Sequence, residues 1–127
     1  MKPILVTEGV RGGYGDVDAD ILNGVDAELG EREIVTVAGT NGAGKSTLIK
    51  AILGLLPRCA GRIAFAGLDL QSLSTEARIE AGLGYVPQVD NIFRALTVRE
   101  NLEVVAGVRD RTTRIAQMFE LFPALAG

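Results

Sequence analysis

The chain has 127 residues, 47% of them hydrophobic and 23% charged, the balance of a packed globular chain rather than a disordered tail. Lys and Arg number 13 against 16 Asp and Glu, a net charge of −3, so no basic field draws nucleic acid and DNA or RNA is not an expected partner. With no histidine and one cysteine, Cys59, a Cys/His metal site and an internal disulfide are both excluded.

In chain order, "PILVTEGV" reads as a first strand, "GGYGDVDAD" as a turn-rich loop, and "ILNGVDAEL" as a second, partly alternating strand. "EREIVTVAG" contains Ile34 to Ala38, β-branched and nearly all apolar, the pattern of a strand buried on both faces. A glycine loop and a helix follow, "KSTLIKAILGLL", with Leu48, Ile52 and Leu55 or Leu56 on one face and Gly54 near its end. "PRCAGRIAFAG" gives a turn and a short strand over Arg62 to Ala66. "STEARIEAG" reads as a short helix capped by Ser74 or Thr75 and stopped at Gly82. "LGYVPQ" reads as a strand ending at a proline. "LTVRENLEVVAG" and "RDRTTRIAQMFELF" read as amphipathic helices, the second burying Ile115, Met118, Phe119 and Phe122 as core.

The stretch "GTNGAGKST" carries the chemistry. Gly39, Gly44, Lys45 and Ser46 match G-x-x-x-x-G-K-[ST], the pattern of a phosphate-binding loop. Gly39, Gly42 and Gly44 are expected to take φ > 0 and bring backbone N–H groups close to a phosphate chain, with Thr40, Asn41 and Ala43 completing the loop. Lys45 is expected on the β- and γ-phosphates and Ser46 on Mg²⁺, with the Thr47 hydroxyl near the α-phosphate. The strand before and the helix after stand in the required order, and the helix N-terminus favours the same anion.

Taken with these motifs, the chain resembles the ATP-binding subunits of ABC transporters, over nearly its whole length. "GYG" resembles the A-loop, which implies that Tyr14 stacks on adenine. "GTNGAGKST" matches the family's Walker A loop, and "GRIAFAGLDL" resembles the strand and turn after the P-loop helix. "LGYVPQ" with "LTVRENL" resembles the Q-loop, which implies that Gln88 helps complete the Mg²⁺ shell. "YVPQVDNIFRALTVRENL" and "ELFPAL" are most similar to the LivF-type ATPase of branched-chain amino acid importers. The resemblance implies an α/β P-loop NTPase fold, an antiparallel β subdomain joined to the start of a parallel-sheet core. It also implies ATP and Mg²⁺ as cofactors, and ATP hydrolysis coupled to transport through Lys45 and Gln88. The partners implied are transmembrane permease subunits and a second ATPase subunit, the same or different, meeting head to tail. No segment nears the roughly eighteen apolar residues of a span, and the apolar part of "MKPILVTEGV" is too short for a secretory signal, so the expected location is cytoplasmic, peripheral through the permease.

The sequence departs from the family at Arg32, where a glycine is usual, so the turn is expected to shift to Gly30; Arg94 replaces a usual proline. Glu8 and Glu33 read as solvated side chains at strand ends rather than bases. The signature loop, the Walker B strand, the D-loop and the switch histidine find no counterpart, so residues 1–127 are expected to be the N-terminal part of one longer ATP-binding domain. The strand Ile34 to Ala38 would then have an unpaired edge, and the chain alone would bind nucleotide without turnover. Other readings are a nucleotide-binding remnant, a urea or amide importer's ATPase, and a non-transport ABC protein, which would carry large insertions or a second cassette. A different P-loop enzyme would call for an arginine-rich lid or an N-K-x-D motif, and neither appears.

Overall fold

The computed structural model describes residues 2–16 and 19–127. Part of the loop expected over "GGYGDVDAD", Val17 and Asp18, lies outside the described residues. The chain divides into two compact units, Met1–Leu83 and Gly84–Gly127.

The first unit is built on an antiparallel sheet in the order β2-β1-β3-β4. Its strands are β1 (Leu5–Gly13), β2 (Leu22–Leu29), β3 (Arg58–Phe65) and β4 (Leu68–Asp69). β1 and β3 are longer than the sequence pattern marks, because their ladder continues through Gly12↔Cys59 and Gly13↔Arg58, where small side chains give no periodicity to read. Between Glu8 and Arg11, β1 holds one more residue than the facing stretch of β3 from Arg62 to Ala60. This bulge falls at Gly9, with φ 57°, whose N–H donates to Asp26 Oδ1 at 2.6 Å. The bulge changes the phase of the strand. Before it Leu5 and Thr7 face inward; after it Val10 and Gly12 do. The core gathers Val10, Leu22, Ala51, Ile63 and Leu70, with Leu48, Ile52, Phe65 and Leu73 packed around them.

Helix α1 (Lys45–Leu53) lies against this core. Its fully buried residues are Thr47, Ala51 and Leu53, while Leu48 and Ile52 are half-buried and Leu55 is exposed. The helix thus has two apolar faces. The face marked in the sequence by Leu48 and Ile52 borders, with Ile49, an apolar groove of about 290 Å³ shared with Leu5, Leu29, Val35 and Val37.

The largest departure from the sequence pattern is Ile34 to Ala38, which forms no ladder; Ile34 is 94% exposed and Val35 and Val37 are also exposed. A strand owes its burial to its neighbours, and among the described residues none pairs with this one. "LGYVPQ" likewise forms no strand, and Val86 is exposed. The turn before Ile34 does not move to Gly30. Arg32 itself takes the left-handed conformation, φ 59°, and Gly30 N–H donates to Glu33 Oε2 at 2.6 Å. Glu33 is therefore a turn former, and Glu8 pairs with Arg62 at 3.0 Å on the sheet surface.

Helix α2 (Thr75–Glu80) begins as expected, with Ser74 Oγ accepting from Ala77 N–H at 3.2 Å. From it Arg78 reaches back to α1. Only 4% exposed, its guanidinium donates to the carbonyls of Leu73, Ala51 and Ile52 at 3.1, 3.1 and 2.8 Å. Burial lowers its pKa below the ordinary arginine value, against smaller opposing pulls from Cys59 and Asp69.

The second unit holds α3 (Val98–Glu103), α4 (Arg111–Leu121) and a closing 3₁₀ turn, Pro123–Ala126. Thr97 and Glu100 form a reciprocal capping box at the start of α3. On α4 Ile115 is buried and Met118 and Phe119 are half-buried, but Phe122 is exposed, since the helix ends before it. The Arg99 guanidinium lies 5.1 Å from the centre of the Phe119 ring. Among the described residues no helix is long and apolar enough to cross a membrane.

Candidate functional site

The glycine loop forms a cleft of about 200 Å³ at the start of α1, lined by Asn41, Gly42, Ala43, Gly44, Lys45, Ser46, Thr47 and Ile21. Gly42 and Gly44 have φ 85° and 96°, so both need glycine, and Gly44 is the N-cap of α1 with no side-chain cap over the helix amides. Gly39 differs from expectation, because its φ is not positive. Space constrains it instead, since a Cβ there would stand 3.1 Å from that of Ala43. Lys45 folds back over the loop, its Nζ donating to the carbonyls of Gly39 and Thr40 at 2.5 and 2.8 Å. An ammonium has three donors, so one stays free for an anion in the cleft.

This geometry fits a phosphate chain. Helix amides without a cap, a glycine loop and a lysine converge on one mouth, where each favours negative charge. It fits Mg²⁺ more sparsely. Ser46 offers one exposed hydroxyl, and the described residues hold no group of three or more Asp, Glu, Cys or His that could bind a metal. A Mg²⁺ here would be held mainly by phosphate oxygens and water, as this ion commonly is.

Tyr14 is 51% exposed, on the bend after β1. Its ring lies beside α1, with Lys50 Nζ 5.4 Å from the ring centre. The backbone just beyond is fixed by Arg58, which donates from Nε to Gly15 O at 3.1 Å and from Nη2 to Asp16 O at 2.7 Å, and which pairs with Asp20. Gln88 belongs to the second unit, where it is exposed next to Pro87. The sequence pattern names Tyr14 and the loop but not Lys50 and Arg58, which contact the Tyr14 segment, nor Ile21, which lines the cleft. These act through tertiary contacts, and no local spacing marks them.

The profile of the ABC transporter family matches residues 22–125. The chain belongs to that family. A probable branched-chain amino acid transport ATP-binding protein, LivF, of Archaeoglobus fulgidus is 38% identical over 125 residues. That match takes in 96% of this family member and 52% of the relative. The lipopolysaccharide export ATP-binding protein LptB of Escherichia coli is 40% identical over 90 residues, 71% of the chain and 37% of its own length. The chain thus spans about half, or less, of the curated relatives it matches. Among solved structures, a bacterial Atm1-family ABC exporter with ATP bound superposes at a TM-score of 0.70 and 29% identity, over 91% of this chain and 20% of that one. The fold is that of the P-loop ABC ATPases, with their antiparallel β subdomain.

Proposed function

We propose that this ABC family member is the N-terminal part of a single ATP-binding domain and binds Mg·ATP at the loop from Gly39 to Thr47. The observation that carries this is the convergence of uncapped α1 amides, the Gly42–Gly44 turn and the Lys45 ammonium on one cleft. Lys45 contacts the β- and γ-phosphates by exchanging a loop carbonyl for a phosphate oxygen, a charge-assisted bond. Ser46 would supply one Mg²⁺ ligand, and Tyr14 stacks on adenine. When bound, Mg²⁺ neutralises the phosphate charge that builds as the terminal phosphoryl group leaves.

Within a complete domain this site serves ATP hydrolysis coupled to transport, with permease subunits in the membrane and a second ATPase subunit as partners and the cytoplasmic membrane face as location. For cargo we propose branched-chain amino acids, supported by the LivF relative that matches 96% of the chain. Lipopolysaccharide export is the second reading, favoured by the higher identity of the LptB relative over a shorter stretch. The chain by itself places charge on the leaving phosphates and, among the described residues, no carboxylate in the cleft to orient water, so it binds without turning over.

Calorimetry with Mg·ATP and Mg·ADP tests the reading. Lys45→Ala is expected to weaken both ligands by about 1.5 to 3 kcal/mol, the worth of a hydrogen bond to a charged group. Equal affinity in the two proteins would reject the site.

A further inference from the structure

We infer that Lys50 is a positioning residue for the stacking face of Tyr14. Its ammonium sits over the ring, 5.4 Å from the centre, and the half-exposed ring keeps accessible surface for a base. The inference rests on the reading of Tyr14 as the adenine platform and adds what fixes that platform in place.

Tyr14 stands half-exposed between Gly13 and Gly15, in a stretch with little side-chain packing of its own. An aromatic in such a place samples several rotamers, and ordering it on binding subtracts from affinity. Two contacts restrict it beforehand. Arg58 holds the carbonyls of Gly15 and Asp16, which sets the backbone. Lys50 then sets the ring, because the negative face of an aromatic attracts a cation within about 6 Å. The half-buried Lys50 stem lies along α1, so its charge is delivered from a rigid helix rather than a loop.

The helix gives the contact a second role. Lys50 follows Lys45 by five residues, which is about 7.5 Å of helix axis. One helix thus presents the phosphate lysine at its start and the cation behind the aromatic ring further along. Five residues also turn the helix by about 500°, so the two lysines leave it on different faces, one toward the loop carbonyls and one toward the ring. Base stacking on one face and a cation on the other are compatible, since the cation draws electron density from the ring that an electron-rich purine then faces.

The experiment measures binding of Mg·ATP and of inorganic pyrophosphate by calorimetry for the wild type, Lys50→Met, Lys50→Arg, Tyr14→Ala and the double variant Tyr14→Ala/Lys50→Met. Pyrophosphate has no base, so it reports on the cradle and on folding alone. Lys50→Met is expected to weaken ATP roughly two- to fivefold, the usual worth of such a contact at an exposed site, with pyrophosphate unchanged. Lys50→Arg restores ATP affinity, and in the Tyr14→Ala background Lys50→Met has no further effect. Equal weakening of ATP and pyrophosphate would overturn the inference, since Lys50 would then act on phosphate charge. So would unchanged ATP affinity in Lys50→Met while Tyr14→Ala loses affinity. Unchanged ATP affinity in Tyr14→Ala would instead remove the stacking reading itself.

Discussion

Arg78 ties the end of α1 to α2, and its contribution can be worked from its contacts. Arg78→Ala removes the donors to the carbonyls of Leu73, Ala51 and Ile52. The Ala51 carbonyl keeps a bond from Gly54 N–H at 3.1 Å, so Leu73 and Ile52 carry most of the loss. A bond from a charged donor contributes about 1.5 to 3 kcal/mol, and an orphaned buried carbonyl costs about 1 to 3 kcal/mol. The variant no longer buries a charge on folding, which offsets part of this, because burial disfavours the guanidinium's charged form. The net expected loss is about 2 kcal/mol of unfolding free energy. Gly54 provides the second half of the test. It has φ 77°, and a Cβ there would lie 2.9 Å from Arg78 Cζ and 3.0 Å from Nε. Gly54→Ala therefore adds about 1 to 2 kcal/mol of left-handed strain to a clash with the guanidinium. The clash disappears when Arg78 is absent. In a double-variant cycle followed by far-UV circular dichroism in urea, the two single losses should exceed the double loss by about 1 kcal/mol. Additive losses, or an Arg78→Ala loss under about 0.5 kcal/mol, would refute the proposed clamp.

Two further outcomes follow from single contacts. Arg32→Gly relieves about 1 to 2 kcal/mol of left-handed strain and costs about 0.5 to 1 kcal/mol in glycine entropy, so urea unfolding should show a gain near 0.5 to 1 kcal/mol. Glu100 is held below the ordinary carboxyl range by the backbone N–H and then the hydroxyl of Thr97. Its stabilisation of α3 is complete above the unfolded value of about 4.3 and is lost as pH falls through the lower folded value. Helical ellipticity should fall over that acid range in the wild type, and Glu100→Gln should remove this component of the titration.

What the sequence revealed depended on how far each signal reaches along the chain. The loop from Gly39 to Thr47 was legible because its chemistry is local, with glycines and lysine at fixed spacing. Ser74 at the start of α2 was legible for the same reason. The pattern at Ile34 to Ala38 described a buried strand truthfully as a pattern, but a ladder needs a neighbour and none is present among the described residues. Arg32 misled for another reason, since the turn between Gly30 and Glu33 demands a left-handed residue at that position whichever side chain occupies it. Nothing in the sequence pattern marks Arg58 or Arg78. Their roles come from carbonyls 42 and 27 residues away, a distance no window of local pattern covers.

The bulge at Gly9 makes β1 a strand read in two frames, odd positions inward up to Thr7 and even positions inward from Val10. A single-residue deletion there would be silent in composition yet would merge the frames. With β1 held through Leu5↔Phe65, the residues after a deletion of Gly9 would keep their sides, Val10 inward and Arg11 to solvent, because Gly9 is the one residue β1 holds beyond the facing stretch of β3. A one-residue deletion in the regular part of β1 has no such slack and would turn every following side chain to the other face. Gly9 is therefore the place in β1 where one residue can be lost without turning over the frame that leads to Tyr14, and elsewhere in the strand length changes keep that frame only two residues at a time.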